Sequence, residues 1–378
     1  MRVASYAHLR ADVHAPEGRP LHAWKNLCGT GPFVYARSEP LRSICEEPRP
    51  LRYYSARARR AAAPEAPTTR RWLFRILGYL TLVVAAVGGL YKAADPESLD
   101  IDQSVRASAS GQFVRLGDGY THYELGGPGK GRTVVLAAGI SVPYYIWDPT
   151  FAALVGAGFR VLRFDYYGRG YSDRPDIAYT QDVYVRQLAE LLDALNITQP
   201  VDLAGLSFGG SIVTTFADRY PDRVRSLVYV DPTFRTPYTV PYVEQVPMLW
   251  NFLTAVFDER WWADAQLDDF LRPERFPDWP DRYRVQVRYR GFRRAQRSTV
   301  TSNASLDQEA ELKRVGRHTR PVLVFWGKQD NAVPIEFSAS LLQAIPRARL
   351  VPVDSAGHLP HWEQPDAVHP TWVAFLRQ

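Results

Sequence analysis

Gly205-Leu206-Ser207-Phe208-Gly209 is the segment with the clearest chemical content. The strand-like run Val201–Ala204 precedes it, and a helical stretch to about Tyr220 follows. A sharp strand-to-helix turn needs small residues around its apex, and the two glycines supply them. Ser207 at that apex projects its hydroxyl outward. The helix N-terminus beneath it favours the negative charge that develops during attack on a carbonyl. A serine alone is a poor nucleophile; it needs a base, and the base needs an orienting acid. Proteins with this turn carry them in the chain order Ser, acid, His. Asp330 ends Trp326-Gly327-Lys328-Gln329-Asp330, just past the strand-like run Pro321–Gly327. His358 ends Asp354-Ser355-Ala356-Gly357-His358, just past Ala348–Val353. Both fall at carboxyl ends of strands, where open α/β sheets build their sites. Asp231, ending the run Ser226–Asp231, is a rival acid. His361 and His369 are rival bases, although neither follows a strand end through a glycine.

The elements that must position these groups follow a regular pattern. Phe113–Leu116 and Tyr120–Leu125 flank Gly117-Asp118-Gly119, a hairpin signal. Further strand-like runs are Thr133–Ala138 and Arg160–Asp165, besides the four above. Leu188, Leu191, Leu192 and Leu195 mark one face of a helix, with Thr180 as its cap. Strands alternating with helices predict an α/β fold: a mostly parallel sheet with helices on both faces. The stretch between Asp231 and Pro321 breaks the alternation and reads as an inserted helical lid, at about residues 233–303. Trp250, Trp261, Trp262 and Trp279 lie in it, with Phe252, Phe257, Phe270 and Phe276. They are expected to form the lid's own small core. The alternative is an apolar channel extended by Tyr144, Tyr145 and Trp147. Residues 282–297 hold seven Arg, read as a solvated face or as a contact for anionic head groups.

With these pieces in place, residues 110–378 resemble the α/β-hydrolase superfamily, in its lid-bearing esterase, lipase and peptidase branch. The matching motifs are Asp165-Tyr166-Tyr167-Gly168-Arg169-Gly170-Tyr171-Ser172, the serine turn, Tyr220-Pro221-Asp222-Arg223-Val224, Gly327-Lys328-Gln329-Asp330, and Gly357-His358 through Glu363-Gln364-Pro365. The resemblance implies Ser207 as nucleophile, His358 as base and Asp330 as orienting acid. It also implies an oxyanion hole from the backbone N–H of Phe208 and that of Ile140. Ala138 stands where relatives commonly carry His before the glycine of that loop, but the donor is a backbone group. A serine at the turn argues against epoxide hydrolases and haloalkane dehalogenases, which use Asp there. Arg169 and Asp165 are expected to brace a loop rather than touch substrate. The implied activity is hydrolysis of a carboxylic ester through an acyl-enzyme. Similarity to membrane-anchored monoacylglycerol lipases suggests a lipid-like substrate. A peptidase, a carbon–carbon bond hydrolase and a non-catalytic membrane-held binding protein are the alternatives.

Composition narrows the setting. The chain has 378 residues, 46% hydrophobic and 23% charged, too apolar for a largely disordered protein. The net charge is +6, which invites a nucleic-acid reading. Its distribution argues against one. Residues 1–71 hold 13 basic against 6 acidic side chains, and the remainder 33 against 34. Both cysteines, Cys28 and Cys45, also lie in that leader. The body therefore has no internal disulfide, thiol nucleophile or Cys-based metal site. Neither a P-loop, a dinucleotide fingerprint nor a metal-ligand cluster stands in the sequence, so no cofactor or metal is expected. Residues 1–71 read as a disordered basic leader, and only 5 of the 46 basic residues are Lys, a bias that suggests translation from a start assigned too far upstream. Trp72 to Tyr91 is an apolar run of the length that crosses a bilayer. Arg70, Arg71 and Arg75 precede it; Asp95, Glu97, Asp100 and Asp102 follow Lys92. The positive-inside rule puts the N-terminus in the cytoplasm and residues 103–378 on the far side of the membrane. No feature specifies an oligomeric state.

Overall fold

The computed structural model describes residues 69–235, 240–257 and 259–378. The leader, apart from its last residues, lies outside them, as do Cys28, Cys45 and the side chains of Phe257 and Trp261. The chain divides into two compact units, with the boundary between Val83 and Val84.

Eight strands form one sheet: β1 (Gln112–Arg115), β2 (Tyr120–Gly126), β3 (Thr133–Ala137), β4 (Arg160–Phe164), β5 (Val201–Leu206), β6 (Val224–Val230), β7 (Val322–Gly327) and β8 (Arg349–Val353). Their spatial order is β1-β2-β4-β3-β5-β6-β7-β8. The β1–β2 hairpin is antiparallel, and β2 runs antiparallel to β4. All later neighbours are parallel. Each expected strand is present, within two residues at either end. The middle strands have largely apolar sequences because both faces are covered. Every residue of β3, β5 and β7 is buried. Gln181–Ala194 is the expected leucine-faced helix, with Leu188, Leu191 and Leu192 buried and Thr180 at its N-cap. The helix Phe208–Arg219 follows β5 directly and packs on the sheet.

Between β6 and β7 the chain leaves the sheet and forms helices that include Pro247–Phe257, Trp279–Val287 and Phe292–Ser302. Several of its described aromatic side chains pack together. Trp279 meets Phe270, Trp362 and Tyr145 edge-on, at 5.0, 5.1 and 5.5 Å between ring centroids. Phe270 stacks on Phe276 at 4.1 Å. This joins the insertion to the main body through Trp362 and Tyr145. The basic stretch is largely paired rather than free. Arg282 reaches Asp148 at 2.5 Å and Arg284 reaches Asp264 at 2.6 Å. Arg290 pairs with Asp100 and Arg294 with Asp176. Arg293 is buried, 2.6 Å from Asp95.

Thr69–Ala94 is a single helix. Its segment Arg71–Ala94 is long and apolar enough to span a membrane. Leu77, Leu80, Leu82, Val83 and Val84 are all more than half exposed. The chain that follows it is strapped to the insertion. Glu97 accepts the N–H groups of Gly291 (2.7 Å) and Arg293 (2.6 Å), capping the helix Phe292–Ser302. Leu99 exchanges backbone hydrogen bonds with Arg288 and Arg290.

Candidate active site

Ser207 sits between β5 and the helix Phe208–Arg219 with φ +51° and ψ −121°. That backbone is strained for a residue with a Cβ, and the surroundings hold it there. Its N–H donates to Val230 O at 3.0 Å, and its C=O accepts the N–H groups of Gly210 (2.8 Å) and Thr233 (2.9 Å). The flanking glycines are steric requirements. A Cβ on Gly205 would lie 2.3 Å from Gly209 O, and one on Gly209 would lie 2.4 Å from Ala137 O and Ala138 O. The hydroxyl makes one long contact, 3.5 Å to Thr233 Oγ1.

His358 and Asp330 meet 28 residues apart in sequence, at 2.7 Å between Nδ1 and Oδ2. Both are buried, at 6% and 5% exposure. Asp330 Oδ1 accepts the N–H groups of Ala332 (2.8 Å) and Val333 (2.9 Å), which fixes the carboxylate in its turn. Nδ1–H donates to that carboxylate, so the ring can take a second proton at Nε2. Burial opposes charging the imidazole. The adjoining Asp330 carboxylate outweighs it and pushes His358 up to about 9.

The rivals have other partners. Asp231, wholly buried at the end of β6, accepts the Gly327 N–H at 2.8 Å through Oδ1. Its carboxylate, that of Asp330 and the His358 ring offer ligand-type atoms within 4.8 Å of one another. Asp330 Oδ2 and His358 Nδ1 in this cluster are already spent on each other. His361 Nε2 is 2.9 Å from Ile146 O, with its ring against Trp147, and burial pushes it down to about 3. His369 contacts Thr150 Oγ1 at 3.1 Å, and burial lowers it to about 4.

The loop after β3, which holds Ile140, is braced from behind. Phe208 is the first helical residue, whose N–H the helix ladder does not use. The carbonyl of Ile140 accepts Arg169 Nε at 2.7 Å. Arg169 is 1% exposed and also reaches Thr299 Oγ1 at 3.2 Å. Asp165 Oδ1 takes the Tyr144 N–H at 2.7 Å, and Oδ2 lies 2.7 Å from His122 Nδ1. Arg169 and Asp165 thus occupy the bracing positions expected of them. His122 was not foreseen; a lone histidine in a strand carries no local signal. A second unforeseen group is Glu363. Its Oε2 accepts the Gly357 N–H (2.6 Å), and Oε1 accepts those of Leu271 (2.9 Å) and Arg272 (3.2 Å). The His358 N–H itself donates to Asp269 O at 2.8 Å. One carboxylate and one backbone bond therefore clasp the His358 loop to the insertion.

A cavity of about 260 Å³ is lined by Tyr144, Tyr145, Tyr171, Arg282, Gln286 and Tyr289 among others, and Ser207, Asp330 and His358 are not among its lining residues. Gln286 bonds Ser141 O (2.9 Å) and the Gly170 N–H (3.1 Å) at its wall. Trp147, which the alternative channel reading placed with Tyr144 and Tyr145, is fully buried against Trp372.

Comparison with known proteins agrees with this architecture. The family model described as alpha/beta hydrolase fold matches residues 132–365. The 2-hydroxymuconate semialdehyde hydrolase of Pseudomonas sp. (strain CF600) is 31% identical over 213 residues, spanning 54% of this chain and 71% of that protein. A 2-hydroxy-6-oxononadienedioate/2-hydroxy-6-oxononatrienedioate hydrolase of Cupriavidus pinatubonensis is 28% identical, over 72% of this chain and 98% of that one. Among solved structures, the enol-lactonase from Burkholderia xenovorans LB400 superposes with a TM-score of 0.61 at 27% identity, covering 71% of this chain and 100% of that chain.

Proposed function

Since the chain belongs to the α/β-hydrolase fold family, we propose that it is a serine hydrolase acting through Ser207, His358 and Asp330. The observation that carries this is the buried 2.7 Å His358–Asp330 pair, set on strand-end loops of the sheet that carries the strained Ser207 turn. Ser207 Oγ attacks a carbonyl carbon while His358 Nε2 takes its proton. The oxyanion is held by the N–H groups of Phe208 and Ile140. The bond to the leaving group breaks, and His358 returns the proton to that group. Water, deprotonated by His358, then cleaves the acyl-enzyme and restores Ser207. Net, water supplies OH to the acyl part and H to the leaving group.

The substrate class follows the relatives. The two curated ones are named for semialdehyde and oxo-dienedioate hydrolysis, so the carbon–carbon bond reading now stands ahead of the lipid ester first expected. A carbon leaving group departs where a conjugated carbonyl accepts its electron pair. We therefore read the substrate as a small, conjugated oxo compound. An ester is the second reading, favoured by the likeness to an enol-lactonase and by the exposed apolar helix. That helix is proposed as a membrane anchor with the hydrolase on the side opposite Arg70 and Arg71. Residues 103–378 are then the hydrolase domain, and the helical insertion its lid.

Purified full-length chain should be assayed on 2-hydroxymuconate semialdehyde and on p-nitrophenyl esters of short to long acyl chain, beside Ser207→Ala. Turnover lost in the variant, by roughly 10⁴-fold or more, supports the serine mechanism. The preferred substrate decides between the two readings. Equal turnover by Ser207→Ala refutes both.

A further inference from the structure

β6 lies between β5, which leads to Ser207, and β7, which leads to Asp330. Asp231 ends β6. It is wholly buried and adopts φ +43°, a backbone that the surrounding structure must impose. Its Oδ1 accepts a single N–H, from Gly327. Its Oδ2 is buried with no partner of ordinary geometry among the described residues. Two carboxyl groups and one imidazole share this space, within 4.8 Å. Charging all three would leave one buried anion uncompensated, and such a group takes up a proton instead.

The hydrogen bonds say which carboxyl group takes it. Asp330 accepts three, from Ala332 N–H, Val333 N–H and His358 Nδ1–H. Each is an acceptor role that an ionised carboxylate fills best. Asp231 accepts one and has an idle oxygen beside Asp330. We propose that Asp231 is a neutral carboxylic acid whose Oδ2–H is donated to the Asp330 carboxylate, making it a positioning residue for the His358–Asp330 pair. Burial, and then the charge of Asp330, both push the Asp231 carboxyl well above the usual range, in agreement with this state. The groups facing the cluster are Asp330, His358, Glu363 and, from the insertion, Asp269. Glu363 is occupied by three N–H donors of its own.

The arrangement has a function. A neutral donor steadies Asp330 without adding negative charge beside His358. A second anion there would hold the imidazole protonated to higher pH and withdraw the base. The inference rests on the proposed triad, and the test separates the two. Full-length chain is labelled with a fluorophosphonate probe across pH 6–10, in wild type and in Ser207→Ala, Asp231→Asn and Asp231→Ala. If wild type labels no faster than Ser207→Ala, the triad reading fails. If it labels faster, Asp231→Asn decides the protonation state. An amide still donates to Asp330 and accepts from Gly327, so labelling should keep its rate and its pH midpoint. An anionic Asp231 would instead give a midpoint about one unit or more lower in Asp231→Asn, because a negative charge next to His358 has gone. That outcome overturns the proposal. Asp231→Ala should slow labelling and raise the midpoint, since a less solvated Asp330 holds the imidazolium more tightly. Infrared spectra of the wild type at pH 8 give a second reading that needs no variant. They should contain the carbonyl stretch of a buried protonated carboxylic acid, and its absence also overturns the proposal.

Discussion

Replacing Glu363 by Ala should loosen the His358 loop and the insertion together. The side chain is 2% exposed and accepts three backbone N–H groups, from Gly357, Leu271 and Arg272. Alanine leaves all three without that acceptor. At about 1 kcal/mol for each lost bond, the loss is about 3 kcal/mol. The charge on the acceptor raises this figure, and water entering the vacated space lowers it. Gly357 is adjacent to His358, so the damage should fall on kcat more than on KM, by about tenfold or more. Glu363→Gln keeps one acceptor oxygen and should lose about half as much stability. Urea unfolding of the full chain, followed by tryptophan fluorescence, gives the stability, and steady-state kinetics give the split. A loss below about 0.5 kcal/mol for Glu363→Ala would refute the clasp, since surface substitutions fall in that range.

Three further outcomes are expected. His358 is raised to about 9, and its neutral form is the proposed base, so kcat/KM should climb as pH rises through that region. The same pair contributes stability that is complete below the ordinary imidazole value of about 6.5 and lost as pH rises through about 9. A rate profile with its midpoint at or below 6.5 would contradict this. Glu97→Ala removes two N–H acceptors at the start of the helix Phe292–Ser302, a change of about 2 kcal/mol. Amide hydrogen exchange in residues 288–296 should accelerate by roughly 10-fold or more, and unchanged protection would remove the strap as a support. Leu82→Arg with Val84→Arg puts two charges mid-helix in the proposed anchor, each worth about 2.5–3.5 kcal/mol against insertion. Protein that still floats with liposomes as the wild type does would argue against a spanning helix.

The strands and the serine turn could be read locally. β3, β5 and β7 are largely apolar runs because both faces of a parallel strand are covered, with the one acid in β5, Asp202, paired with Arg132, and their bounds in sequence and structure differ by a residue or two at most. Gly205 and Gly209 signal the turn because neighbouring backbone lies within 2.5 Å of where a Cβ would stand. Asp330 and His358 were legible as strand-end residues. The substrate class was less legible: the lipid-ester expectation rested on an apolar helix and an aromatic insertion, whereas the relatives bear the names of the carbon–carbon alternative. Trp279, Phe270 and Phe276 of that insertion pack together, with Trp279 wedged among Phe270, Trp362 and Tyr145.

Pattern in a chain reports forces that act within a few residues, such as periodic burial, turn sterics and helix caps. It therefore identified the α/β architecture, the candidate nucleophile and a short set of partners. Three histidines and two aspartates remained eligible, because sequence distance says nothing about which side chains share a dry pocket. Folding separated them. The loops after β7 and β8 bring Asp330 to His358, while His361 and His369 turn toward Ile146 and Thr150. The same closure makes Glu363 a clasp, Glu97 a cap and Asp231 a buried neighbour of Asp330. Those roles exist only between segments that are distant in sequence, where burial sets the cost of an unpaired charge and so the identity of its partner.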